Sequence, residues 1–151
     1  MDWFFDSSAL VKRYVNEIGS TWVANIVDKS SGNDIYIAEI TGVEITAAIA
    51  RRTRGFAAAT VNAVFANLQH DLRAEYLNLE ITSAVLQHAQ FLARKYFLRG
   101  YDAVQLTVAL DFNRERLAAG LPDITLVSAD TELLDAAQAE GLLVANPNDH
   151  P

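Results

Sequence analysis

Apolar positions fall in two patterns that take turns along the chain: short unbroken runs, and longer stretches with apolar residues three and four apart. The first run, Trp3-Phe4-Phe5, shows no alternation, which is the pattern of a strand buried on both faces of a parallel sheet. It stops at Asp6-Ser7-Ser8, ahead of a helix predicted over residues 9–14. Residues 21–28 predict a second short helix with Trp22, Val23 and Ile26 inward, and Ile35-Tyr36-Ile37 a second strand. Thr41 is placed to cap a helix that runs through Val43, Ala47, Ala48 and Ile49 to Arg51, Arg52 and Arg54. Beyond Gly55, residues Val61, Val64, Phe65 and Leu68 lie at helical spacing, so the two stretches predict a helical hairpin. Tyr76–Leu79 predicts a third strand, and Thr82 caps a helix whose stripe is Val85, Ala89, Leu92 and Tyr96, with Gly100 as its stop. From about Asp102 a further helix puts Leu106, Leu110 and Leu117 inward, with Asp102 one turn ahead of Leu106 on the same face. The β-branched run Ile124–Val127 ends in Ser128-Ala129-Asp130 and so repeats the opening order of apolar strand, then hydroxyl and acid. Leu133, Leu134 and Ala137 mark a last helix with Gly141 as its stop, and Leu142–Val144 a last strand.

Strands that alternate with helices predict an α/β fold, a central parallel sheet of four to five strands covered on both faces. At 151 residues with 51% hydrophobic content, the chain is read as one domain, residues 1–151, with a full core and no disordered tail. It contains no cysteine, which removes disulfides, thiolate metal sites and thiol nucleophiles and fits a cytoplasmic setting. The first apolar run is flanked by Asp2 and Asp6, so it lacks the basic start and apolar stretch of a secretory signal. No uncharged run is long and apolar enough for a membrane span. A net charge of −7 argues against a protein that coats nucleic acid electrostatically, yet leaves room for a small catalytic groove.

The candidate chemistry lies in four acids. Asp6 and Asp130 each follow an apolar strand, and in an open parallel sheet ligands bind at the carboxyl ends of strands. Glu44 and Asp102 sit in the first turns of helices, and helix starts in such a fold lie near that same edge. Four carboxylates brought together repel one another, and a divalent cation would neutralise them. All-oxygen donors with no His or Cys beside them select Mg²⁺ or Mn²⁺. Ser7, Ser8 and Ser128 stand as donors that orient a carboxylate or phosphate, with plain helix capping as the alternative for Ser7 and Ser128. The basic trio Arg51, Arg52 and Arg54 is a rim that contacts phosphate or a protein partner, or else a solvated helix end favoured by the macrodipole. Glu39 is read as a loop residue, His70, His88 and His150 as surface or packing residues, and Trp3, Phe4, Phe5, Phe65 and Phe91 as core.

Several blocks carry a family resemblance. Phe5-Asp6-Ser7-Ser8-Ala9-Leu10-Val11-Lys12-Arg13-Tyr14, Val43-Glu44 followed by Ala47–Arg52, Arg99-Gly100-Tyr101-Asp102-Ala103-Val104-Gln105-Leu106, and Val127-Ser128-Ala129-Asp130-Thr131-Glu132-Leu133-Leu134 resemble, in order, the blocks of PIN-domain proteins of the VapC toxin type. The resemblance implies a three-layer α/β/α sandwich and a Mg²⁺- or Mn²⁺-dependent endoribonuclease with Asp6, Glu44, Asp102 and Asp130 as its acidic quartet. It also implies a VapB-like antitoxin whose extended segment covers the acidic groove, an RNA substrate, and a homodimer that enters a toxin–antitoxin hetero-oligomer. Two other readings stand beside it: a non-catalytic PIN-like module that binds RNA or protein, and a DNA-directed metal nuclease on the same sheet.

Overall fold

The structure is a computed structural model and describes residues 1–151. Strands β1 (Asp2–Phe5), β2 (Asp34–Ala38), β3 (Tyr76–Leu79), β4 (Thr125–Val127) and β5 (Leu143–Ala145) form one sheet in the order β3-β2-β1-β4-β5, every pair parallel. Chain order runs outward from β1 in both directions, so the switch point lies between β1 and β4. There Phe5 pairs with Val127, and the Asp6 N–H donates to the Val127 carbonyl at 3.1 Å.

Consecutive strand residues face opposite sides, and both sides are apolar. One side of the sheet, with Phe4 and Leu126, is covered by α5 (Ser83–Tyr96), α6 (Gly100–Ala118) and α7 (Thr131–Ala139) through residues such as Leu92, Leu106 and Leu133. The other, with Phe5 and Ile37, is covered by α1 (Ser7–Leu10), α2 (Ser20–Val27), α3 (Thr41–Arg52) and α4 (Ala58–Ala74) through Leu10, Val23, Ile45 and Leu68. The result is the expected PIN-like α/β/α sandwich. No helix is long and apolar enough to cross a membrane.

Several local expectations are corrected. The first helix starts at Ser7 rather than residue 9, because the Asp6 carboxylate caps it, and it tightens to a 3₁₀ turn over Val11–Arg13. Thr41 is no cap: the helix begins at Thr41 itself after Ile40, with no side-chain cap bond, and the hydroxyl faces α6 instead. Gly100 does not stop α5. Phe97 does so in the left-handed conformation (φ 56°) with a 91% exposed side chain, and the Leu98 N–H closes on the Ala93 carbonyl at 3.2 Å. Leu117 is 49% exposed, and the inward position late in α6 belongs to Arg116, whose guanidinium pairs with Asp2. Phe91 is exposed rather than core.

Gly19 ties the chain's end to this frame. It adopts φ +84°, and a Cβ there would lie 2.2 Å from the Pro147 carbonyl oxygen. Gly32 is also left-handed (φ +67°) but faces open space. Gly32→Ala should therefore cost only the left-handed penalty of about 1–2 kcal/mol, whereas Gly19→Ala should cost at least about 2 kcal/mol more, a clash being added to strain. Urea unfolding of the two variants makes the comparison; equal losses would mean that the Pro147 turn moves aside freely.

Candidate active site

Asp6 leaves β1 at the switch point and is only 2% exposed. A buried carboxylate needs donors, and it has them on both oxygens. The Ala9 N–H donates to Oδ1 at 3.0 Å, Ser128 Oγ donates to Oδ2 at 2.9 Å, and Ser8 Oγ lies 2.8 Å and 2.9 Å from the two oxygens. Ser8 also accepts from the Ala129 N–H and Ser128 from the Asp130 N–H. One polar network thus joins the ends of β1 and β4. Burial is the leading cause that pushes the Asp6 carboxyl up to about 7, against the hydrogen bonds from Ala9, Ser8 and Ser128, with the charge of Asp102 adding to the rise.

Asp102 sits in the first turn of α6, half-buried, with its pKa raised first by burial and then by Asp130 and Glu132, while Arg99 opposes the rise. Glu44, in the first turn of α3, is raised by burial and by Asp102, against donors on Gln105 and Ser7. Asp102 therefore acts on, or is acted on by, each of the other three acids, although α3 and α6 belong to opposite layers. Asp130 caps α7, accepting from the N–H groups of Glu132 (2.9 Å) and Leu133 (3.3 Å) through one oxygen, which leaves the other free of any hydrogen bond. Capping and a place in the acidic cluster are compatible at this residue.

The three hydroxyls divide between two acids. Ser8 and Ser128 serve Asp6, whereas Ser7 faces Glu44. A groove of about 420 Å³ opens beside these residues, lined by Ser7, Ser8, Glu44, Arg51, Arg52 and Tyr101 among others. Arg54 is not among its lining residues. The Arg52 Nε is paired with Glu17, which also holds the buried Lys12 at 3.3 Å. Glu39 is a loop residue as expected, accepting from the Ile81 N–H at 2.9 Å. His88 pairs with Asp111, His150 stacks on Trp22 and His70 lies near Glu75, all outside the site.

Two further residues bear on the site. Gln105 Nε2 donates to Glu44 Oε2 at 2.6 Å and to Thr41 Oγ1 at 2.9 Å. Its signal in the sequence was an amide inside an otherwise apolar helical stretch, one turn after Asp102. Glu132 adds negative charge near Asp102, beyond the helix-end role that its position suggested.

The donor set is all oxygen, which fits a hard divalent cation. No three of these side chains stand at the spacing of one cation's shell. That suits Mg²⁺, which keeps several waters and takes only one or two carboxylates directly.

A parallel sheet covered on both faces, with acids from both layers meeting at its central switch point, is a PIN-like fold that carries an acidic cluster. The comparisons with known proteins agree. The chain is 33% identical over 144 residues to Ribonuclease VapC45 and to Ribonuclease VapC49, each from a strain of Mycobacterium tuberculosis, over 94% of this chain and 93% of each relative. The crystal structure of PAE2754 from Pyrobaculum aerophilum superposes with a TM-score of 0.61 over 95% of this chain and 89% of that one, at 20% identity. No protein-family model matches the chain. The chain belongs to the VapC family of PIN-domain ribonucleases.

The buried Asp6 sets a testable pH dependence in the absence of metal. Its folded-state pKa of about 7 stands above the ordinary carboxyl value of 3.8, so between those values the folded protein holds a proton that the unfolded chain has released. Stability from this group is full below about pH 4 and is lost as pH rises through about 7, by up to about 4 kcal/mol. In EDTA, Asp6→Asn should match the unmutated protein near pH 4 and exceed its melting temperature at pH 8. A variant less stable at pH 8 would mean that the three donors hold the ionised carboxylate at no net cost.

Proposed function

We propose that the protein is the toxin of a VapBC-type pair, a Mg²⁺- or Mn²⁺-dependent endoribonuclease that hydrolyses RNA phosphodiesters beside Glu44. The observation that carries this reading is the convergence on Asp102. The Asp102 charge adds to the raised pKa of Asp6 and of Glu44, and the Asp130 charge adds to that of Asp102, an arrangement at one sheet edge that opposes folding and is characteristic of functional sites. Asp6, Glu44, Asp102 and Asp130 are the residues that would hold the cation, one or two of them directly and the others through its waters. A bound divalent ion supplies activation of a water and neutralisation of charge on the phosphodiester.

The chain's own groups do the remaining work. Glu44, held at Oε2 by Gln105 and with Ser7 as a second donor, lines the groove, where it orients the attacking water and accepts its proton. Ser8 and Ser128 fix the Asp6 carboxylate from the protein side, as outer donors do for ligating carboxylates. Arg51 and Arg52 line the groove and bind RNA phosphates, positioning the strand without reading its bases. A VapB-like antitoxin segment that occupies this groove is the partner the reading implies, with a homodimer as the unit it binds.

Purified protein free of antitoxin, incubated with total RNA with and without Mg²⁺ and followed by end mapping, should give discrete ends only with metal. Asp102→Asn should lower the rate by more than about a hundredfold, above the range of outer-shell changes. Metal-independent ends, or full activity in that variant, would defeat the metal assignment. Replacing Arg51 and Arg52 together by Gln should weaken RNA binding and reduce the log–log salt slope by about 1.4, the value for two contacts to a single strand. Arg54→Gln should leave the slope unchanged. An equal effect of all three would place the rim along the whole helix end rather than at the groove.

A further inference from the structure

We infer that Gln105 is a positioning residue, an amide clamp that sets Glu44 against Asp102 across the edge of the sheet; this rests on the reading of Glu44 as a working acid of the site. Thr41 and Glu44 are three apart on α3, and Asp102 and Gln105 are three apart on α6, so each pair shares one helix face. The Gln105 side chain reaches across, with Nε2 2.6 Å from Glu44 Oε2 and 2.9 Å from Thr41 Oγ1. The Asp102 charge meanwhile adds to the cost of ionising Glu44. Left alone, two like charges on separate helices would turn apart, and a carboxylate's terminal torsion is soft enough to allow it. The amide fixes Glu44 at Oε2 while the side chain still lines the groove.

Stability does not account for this glutamine. It is 1% exposed, begins the buried run from Gln105 to Leu110, and its Oε1 is buried with no hydrogen-bond partner. An orphaned buried acceptor is a standing cost, one that an apolar side chain of the same volume would not bear. Turning the amide over would not relieve it, because Oε1 would then face the Glu44 carboxylate, oxygen against oxygen. The orientation observed is the one that an ionised Glu44 selects.

Two measurements test the clamp. In Mg²⁺-saturated cleavage assays, Gln105→Met should lower kcat by about tenfold or more while RNA KM stays within about twofold, since substrate contacts are untouched. Its melting temperature should be equal to or above that of the unmutated protein. Thr41→Val, which frees the other anchor, should lower kcat in the same direction by less. An unchanged kcat in Gln105→Met, or a loss of activity that only tracks a loss of stability, overturns the proposal. The second measurement needs neither metal nor RNA: a urea-unfolding cycle of Gln105→Met, Glu44→Gln and the double variant should show coupling of about fivefold or more in the unfolding constant. Additive effects overturn the clamp. If the unmutated protein cleaves no RNA, the function assigned above fails, and the cycle alone decides on Gln105.

Discussion

The structure depends on keeping one carboxylate out of water. Asp6 ends the central strand, and β1 can occupy the middle of the sheet only if that carboxylate is paired with donors at its buried edge. Those donors come from both sides of the switch point: the start of α1 supplies the Ala9 N–H and the Ser8 hydroxyl, and the end of β4 supplies Ser128. The same bonds that satisfy Asp6 therefore fix where α1 begins and how β4 leaves the sheet. Asp130 follows directly, since its N–H is held by Ser128 and its side chain starts α7. Fold and site are joined in a single hydrogen-bonded network.

The electrostatic consequence runs the other way. Burial raises the Asp6 carboxyl to about 7, and burial with the charge of a neighbouring acid raises Glu44 and Asp102. Near neutrality these groups oppose folding, so the apolar layers on both faces of the sheet must hold them in place. A cation would remove that opposition, which couples the occupancy of the site to the stability of the frame. The two acids on helices, Glu44 and Asp102, come from opposite layers and meet only because the sheet ends between them. Gln105 and Thr41 are the direct polar tie at that meeting.

How much of this was legible in the chain depended on whether the cause was local. An apolar run that stops at an acid announces a strand end, so β1 with Asp6 and β4 with Asp130 could be read directly, as could the five-strand parallel order of elements. Asp102 was legible as an acid on an otherwise inward helix face. What escaped was set by neighbours distant in sequence. Which carboxylate each serine serves is one example: α1 begins two residues earlier than its apolar pattern suggests, and Ser8 serves Asp6 while Ser7 faces Glu44. Thr41 looked like a cap and is instead a partner of Gln105, 64 positions away. Leu117 lost its inward place to Arg116 because Asp2 offers the guanidinium a partner. Phe97, where Gly100 carried the usual stop signal, shows a helix end decided by the packing of Leu98 rather than by the residue that most easily turns left-handed.

The central claim is that the acids gathered around Asp102 form one divalent-cation site. The most direct measurement is paramagnetic broadening of backbone amide resonances as Mn²⁺ is titrated into the isotope-labelled protein. The account predicts that the amides of Ser7, Glu44, Asp102 and Asp130 broaden together at the lowest Mn²⁺, and that Asp102→Asn shifts this broadening to higher concentration. Broadening that begins instead around Glu80, Asp111 and Glu115, on another face of the molecule, or that is spread evenly over the surface acids, would contradict it.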